Sequence, residues 1–281
     1  WNGDVTLSGR QVNTLMGDLV SYQRGRIERI GAPVDYVLLS DLARGDCDYK
    51  LYIMLSCFQY DAATLAAIRD KLYKQPCTVV WCYAPGFIHD GVADVANMER
   101  LTGLRFAMTR EPASPKIALV DLTHPMAAAV GTASFGVDYP FAPLFDVVDD
   151  AAVPLGVYCD TGRVAFAVKQ VDAAQVVFCG SNKISAEVLR GFAQAAGVHL
   201  YSDSLDPFEA NEQFVMLHAS RSGQKMFYLK RPSDVVDVFG GDVLFRQVSE
   251  FAVPIEAEQT RLFFVGDSAE FLEYMAGHRS E

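Results

Sequence analysis

Two short apolar runs near the front of the chain flank an amphipathic stretch. Leu51 to Leu55 and Cys77 to Tyr83 contain almost no polar position, as in strands buried on both faces. Between them, Asp61 is placed to cap a helix on which Leu65, Ile68 and Leu72 share one side. Pro85-Gly86 stops the second strand. Strand, helix, strand implies a parallel pair with a right-handed crossover, and sheets of this kind place their chemistry at the carboxyl ends of the strands. Upstream, Met16, Leu19, Val20, Gln23, Ile27 and Ile30 follow helical spacing, Gln23 being the one polar member. Gly31-Ala32-Pro33 ends that helix, the glycine being suited to a left-handed conformation. Val34 to Leu39 is expected as a short strand. A doubly wound sheet starts with a strand before its first helix, and the pattern places that strand upstream of Trp1.

Further along, a helix is predicted around Val92–Leu101, closed by Gly103, then a strand over Lys116–Leu122. Leu155–Cys159, Arg163–Gln170 and Gln175–Cys179 read as three strands, with Asp160-Thr161-Gly162 suited to a hairpin turn. Ser185 caps a helix carrying Val188, Leu189 and Phe192. Near residue 200 the helical period gives way to short strands: Phe214–Ala219, Lys225–Leu229, Val235–Phe239, Ser249–Val253 and Arg261–Val265. That is an all-β pattern, expected as a small antiparallel sandwich, with a last helix or tail from Asp267 to His278. The organisation is thus an α/β domain over 1–200, of the flavodoxin or amidotransferase-like doubly wound class, and a β domain over 201–281.

Composition narrows the function. The chain has 281 residues, 51% of them hydrophobic, and a formal net charge of −11. An acidic balance argues against nucleic acid or an anionic membrane surface as partner, and no apolar stretch approaches the roughly 20 residues of a membrane span. The six cysteines (47, 57, 77, 82, 159, 179) form no Cys-x-x-Cys pair. Those at 57, 82, 159 and 179 fall in or beside strands and read as buried free thiols, favouring a reducing, cytoplasmic compartment. No metal-ligand spacing and no glycine-rich phosphate loop are present, so neither metal nor cofactor is expected.

A nucleophile in such a sheet needs glycines around a strained elbow. Neither Ser56-Cys57-Phe58 nor Trp81-Cys82-Tyr83 has them. His124-Pro125 is followed by Met126 where a triad would need a carboxylate, so capping of a short helix is the better reading. Asp149-Asp150 and Glu270/Glu273 read as solvated pairs. No catalytic residue is assigned. One cluster remains as a ligand or interface candidate: Tyr83, Phe87, His89 and Asp90 follow a strand, where aromatics beside a carboxylate either bind a sugar or pack beneath a loop.

The segments Ile30–Asp35, Asp48–Leu55, Asp61–Leu72, Thr78–Trp81 with Ala84–Phe87, Arg163–Phe178 and Phe214–Gly266 together resemble the C-terminal part of glycoside hydrolases related to the family 42 β-galactosidases. In that family a catalytic (β/α)8 barrel is followed by a trimerisation domain, amidotransferase-like in fold but without the triad, and by a small β domain. The resemblance implies a non-catalytic structural and oligomerisation region of a β-galactosidase-like protein. Its partners would be the parent's own barrel and further copies of the chain. The family's catalytic glutamates lie in the barrel and have no counterpart here. Two rivals are a diverged amidotransferase-like hydrolase using Cys57 or Cys82, and a carbohydrate-binding module.

Overall fold

The computed structural model describes residue 15, residues 17–42 and residues 48–278. Of the residues singled out in the sequence, Met16 and Cys47 lie outside the described residues. Contacts divide the chain into two bodies. One holds the residues up to Arg24 and Tyr36–Val198; the other holds Gly25–Asp35 and the chain from His199 onward.

The strands of the first body are β1 (Leu51–Met54), β2 (Gln59–Tyr60), β3 (Thr78–Cys82), β4 (Ile88–His89), β5 (Val92–Ala93), β6 (Phe106–Thr109), β7 (Ile117–Leu119), β8 (Ser134–Phe135), β9 (Leu144–Val147), β10 (Val153–Tyr158), β11 (Val164–Val171) and β12 (Ala174–Cys179). Seven of them form one sheet in the order β1-β3-β12-β11-β10-β7-β8. The first three run parallel, and the rest alternate. The sheet is therefore mixed rather than doubly wound throughout. The parallel part exists because β1 reaches β3 through the helix Ala62–Ala67, continued by a π-helical turn over Ile68–Leu72. The antiparallel part exists because tight turns join β10 to β11 and β11 to β12, the second through Asp172 at a φ of 51°. All five residues of β3 are buried, as its unbroken apolar run requires.

Local signals act as their chemistry suggests. Asp61 accepts the Thr64 N–H at 2.7 Å, and Ser185 Oγ accepts the Val188 N–H at 3.5 Å. His124 Nδ1 caps the helix Pro125–Val130 by accepting the Met126 N–H. Val34–Leu39 is not a strand: the chain is irregular there and enters a short helix at Leu39–Leu42, with Tyr36, Val37 and Leu38 about half exposed. An apolar run becomes a strand only within a ladder, and among the described residues the sheet ends at β1. The helix expected from Val92 begins instead at Val95, behind an Asp94 cap, because Val92–Ala93 pairs with β4.

The second body is a single five-stranded antiparallel sheet. Its strands are β13 (Phe208–Ala210), β14 (Phe214–His218), β15 (Gly223–Asp237), β16 (Val243–Ile255) and β17 (Thr260–Gly266), in the order β13-β14-β17-β15-β16. It is not a two-sheet sandwich. The expected separate strands Lys225–Leu229 and Val235–Phe239 are one continuous β15, whose register against β16 shifts between Tyr228 and Ser233. Pro232 falls in that shift, a place where a sheet tolerates proline. Such a bulge strengthens twist and lets the long hairpin curl over Phe227, Phe251 and Phe263. Gly25–Asp35 belongs to this body because Glu28 O and Gly31 O accept the N–H groups of Phe208 and Tyr201, at 2.8 and 2.7 Å. A helix closes the body over Ser268–His278.

Candidate functional site

The carboxyl ends of β1, β3 and β12 are where a doubly wound sheet would carry its chemistry. Tyr83, the first residue after β3, has a φ of 63° and is buried. Its N–H donates to Cys179 O at 2.9 Å, and its phenol donates to Pro143 O at 2.7 Å. Phe58, Phe141 and Phe145 meet its ring edge-on. Burial raises the phenol well above its ordinary value. Phe87 packs against the same Phe145, with ring centroids 5.0 Å apart. These two aromatics thus belong to one inward-facing layer, in which Tyr83 offers no ring face to a sugar.

His89 and Asp90 lie on the small β2-β4-β5 ribbon. The imidazole stacks on Tyr60 at 4.5 Å, and its Nδ1 is 3.0 Å from Tyr60 O. Its Nε2 lies 3.4 Å from the exposed carboxylate of Asp90, which occupies a turn at a φ of 49°. The four candidate residues therefore divide between a packed layer and a surface turn. Asp61, the other carboxylate near these strand ends, is held below its ordinary range by the Thr64 N–H it caps, which suits a cap and not a general acid.

The thiols at this edge are equally inward. Cys57, Cys82 and Cys179 are all buried, and burial pushes each thiol up, Cys179 to about 12. A nucleophile needs the opposite shift. Cys159 differs from its expected place: it is exposed, at the turn before β11. Asp149 differs too. Its carboxylate is enclosed and accepts from Lys169 Nζ at 2.8 Å, so only Asp150 of that pair is solvated.

A polar cluster beyond β12 was not visible in the sequence. The Asp18 carboxylate accepts from the Tyr139 hydroxyl and, at 3.2 Å, from Asn182 Nδ2, while Lys183 Nζ lies 3.6 Å away. Gln23 clamps the adjoining backbone, donating to Ile184 O at 2.7 Å and accepting the Ile184 N–H at 3.1 Å. The lone polar residue in an apolar helical stripe was the available signal, and its partner lies 161 positions away. The cluster joins residues near both ends of the first body. No group of three or more His, Cys, Asp or Glu side chains among the described residues is arranged to hold a metal ion. No helix among them is long and apolar enough to cross a membrane.

No protein-family model and no curated protein matches the sequence. Solved structures do match in fold. The β-galactosidase from Bacillus circulans sp. alkalophilus aligns over 92% of this chain and 39% of its own, at 12% identity and a TM-score of 0.63. Gan42B, a GH42 β-galactosidase from G. stearothermophilus, aligns over 93% and 38%, at 15% identity and 0.62. The polyextremophilic β-galactosidase of the Antarctic haloarchaeon Halorubrum lacusprofundi aligns over 90% and 36%, at 16% identity and 0.57. At these identities the likeness is one of fold, and this chain spans well under half the length of each structure.

Proposed function

We propose that this chain is a non-catalytic structural and assembly region of a β-galactosidase-like glycoside hydrolase, whose bond cleavage is performed by a barrel outside these 281 residues. The observation that carries the reading is the partial overlap: nearly all of this chain, and only 36–39% of each β-galactosidase, shares the fold. The sheet edge supports it. Hydrolysis with retention needs two carboxyl groups roughly 5–5.5 Å apart. Here Asp61 is committed to its helix and Asp90 stands beside an imidazole rather than a second acid. The amidotransferase-like rival needs an ionisable thiol, and Cys57 and Cys82 are shifted the wrong way.

The test is an assay of purified 1–281 on aryl β-galactosides and related aryl glycosides, beside the longer polypeptide that contains the barrel. Turnover is expected from the longer protein alone. Turnover by 1–281 that disappears in Asp90→Ala would place the active site in this chain and overturn the reading.

A further inference from the structure

The parallel half of the first sheet ends on a strand built like an interior one. β3 is paired on both sides, by β1 and β12, whereas β1 is paired on one side only among the described residues. The Thr78 N–H donates to Lys50 O at 2.8 Å, and Leu51 stands opposite Thr78. In a parallel ladder successive residues turn their backbone groups to opposite sides. Tyr52 and Met54 therefore bond toward β3, and the N–H and C=O groups of Leu51 and Ile53 point away from it. Edges left in water are normally blunted by charge, proline, a bulge or brevity. β8, at the far side of this sheet, is two residues long. β1 reads Leu-Tyr-Ile-Met, keeps unbroken register with β3, and has Tyr52 and Met54 buried. A run of that kind belongs inside a sheet.

A second segment lacks a ladder as well. Tyr36, Val37 and Leu38 are 43 to 51% exposed and form no strand. They lead into the short helix Leu39–Leu42, which lies against Ala62–Ala67, the helix of the β1–β3 crossover. The exposed run is thus tethered to the element that leaves β1. One strand laid along β1 would meet Leu51 and Ile53 on one side and offer Tyr36–Leu38 a partner on the other. We infer that the open edge of β1 is the docking site of an apolar strand from the longer polypeptide, outside these 281 residues, and that Tyr36–Leu38 pairs with that strand's far side. A second copy fits less well. About a two-fold axis it would pair β1 with β1, leave Tyr36–Leu38 unpaired, and join only four residues a side, where stable partners use roughly 20–30. A tethered segment needs no such area, because the linker sets a high effective concentration. The inference rests on the longer polypeptide of the function proposed above.

Hydrogen exchange resolved to single amides, on 1–281 and on the longer polypeptide, tests it. In 1–281 the Tyr52 and Met54 amides are expected to be protected, and those of Leu51 and Ile53 to exchange freely. In the longer polypeptide Leu51 and Ile53 are expected to exchange at least about a hundredfold more slowly, and Tyr36–Leu38 to slow with them. Ile53→Pro deletes one outward N–H, which an edge strand tolerates, and sets a ring where the added strand would lie. In this variant 1–281 should keep its Tyr52 and Met54 protection, while Leu51 of the longer polypeptide exchanges freely again. Equal exchange at Leu51 and Ile53 in the two wild-type proteins would overturn the docking site. Protection in 1–281 that deepens with protein concentration would overturn it in favour of a second copy. Leu51 protection that survives Ile53→Pro would mean a cover other than a strand, and slowing at β1 without slowing at Tyr36–Leu38 would overturn the second pairing. Exchange is read without substrate, so a longer polypeptide that cleaves no glycoside would sink the proposed function and leave this result standing.

Discussion

Cys82 and Cys179 are register partners on adjacent parallel strands, so two thiols sit side by side at the carboxyl edge of the sheet, and Cys57 stands close enough to Cys82 to oppose its ionisation. All three are buried, and burial favours the neutral form of each. Thiolate character and access together govern alkylation. In the native protein Cys159 should therefore react with iodoacetamide while these three remain unmodified until the chain is unfolded. Peptide mapping by mass spectrometry at intervals checks this. Labelling of Cys82 as fast as Cys159 would revive the hydrolase reading.

Gly31 is a second case in which a small group carries a large consequence. Its φ is 82°, and a Cβ built on it would lie 2.5 Å from Ser202 O. Left-handed backbone costs a non-glycine residue roughly 1–2 kcal/mol, and the clash with a backbone carbonyl adds to this. Gly31→Ala is expected to destabilise by about 2 kcal/mol or more, seen as a lower urea midpoint at unchanged slope. Gly25→Ala is the control, because nothing lies within 4 Å of its Cβ position.

What the sequence could and could not reveal follows the range of each interaction. Asp61, Gly31, Gly103 and Ser185 act within a turn or so of themselves, and their caps and stops were legible. So were β3 and β12, whose apolar runs suffice to mark buried strands. Val34–Leu39 was misread because strand formation depends on a ladder partner that local pattern does not disclose. β15 was misread as two strands because Pro232 looks like a stop, yet a register shift accommodates it. At the candidate site, proximity in sequence placed Tyr83, Phe87, His89 and Asp90 together, but the direction of each ring is set by distant Phe145 and Tyr60. The Asp18–Tyr139–Asn182 cluster was out of reach for the same reason: its members are 121 and 164 positions apart.

Lys225 and Asp206 form a nearly enclosed ion pair at 2.7 Å, and the Ser220 N–H also donates to Asp206 at 2.8 Å. These donors outweigh burial and hold the Asp206 carboxyl below its ordinary range. Removing one partner of a buried pair leaves the other charge uncompensated, at a cost of about 3–5 kcal/mol. Lys225→Met should therefore cost about 3 kcal/mol near neutral pH, and Lys225→Met with Asp206→Leu considerably less. Urea unfolding of both variants gives the comparison. Equal losses in the single and double variants would show that the ion pair is not what the position requires.

Asp234 gives the clearest pH dependence. Its carboxylate accepts from Ser268 Oγ at 2.6 Å, from the Gln247 N–H at 3.0 Å and from Gln247 Nε2 at 3.1 Å, with Arg246 Nη1 3.3 Å away. The acceptor thereby joins the long hairpin to the start of the last helix. These donors, the Ser268 hydroxyl first, bring the group to about 2. In the unfolded chain an aspartate titrates at about 3.9. The folded state therefore holds its proton more weakly, and the stabilisation is fully present above the unfolded value. It declines as pH falls from about 4 and is gone below about 2, once both states are protonated. Asp234→Asn should be less stable than wild type near about pH 6, and the difference should shrink on acidification through that window. Ser268→Ala should move the wild-type acid limb to higher pH, because the folded carboxyl loses its principal donor. Unfolding free energies measured by urea titration at a series of pH values supply the test. A difference between wild type and Asp234→Asn that stays constant from about pH 6 to about pH 2 would mean that the side chain stabilises through shape and neutral hydrogen bonding, not through its charge.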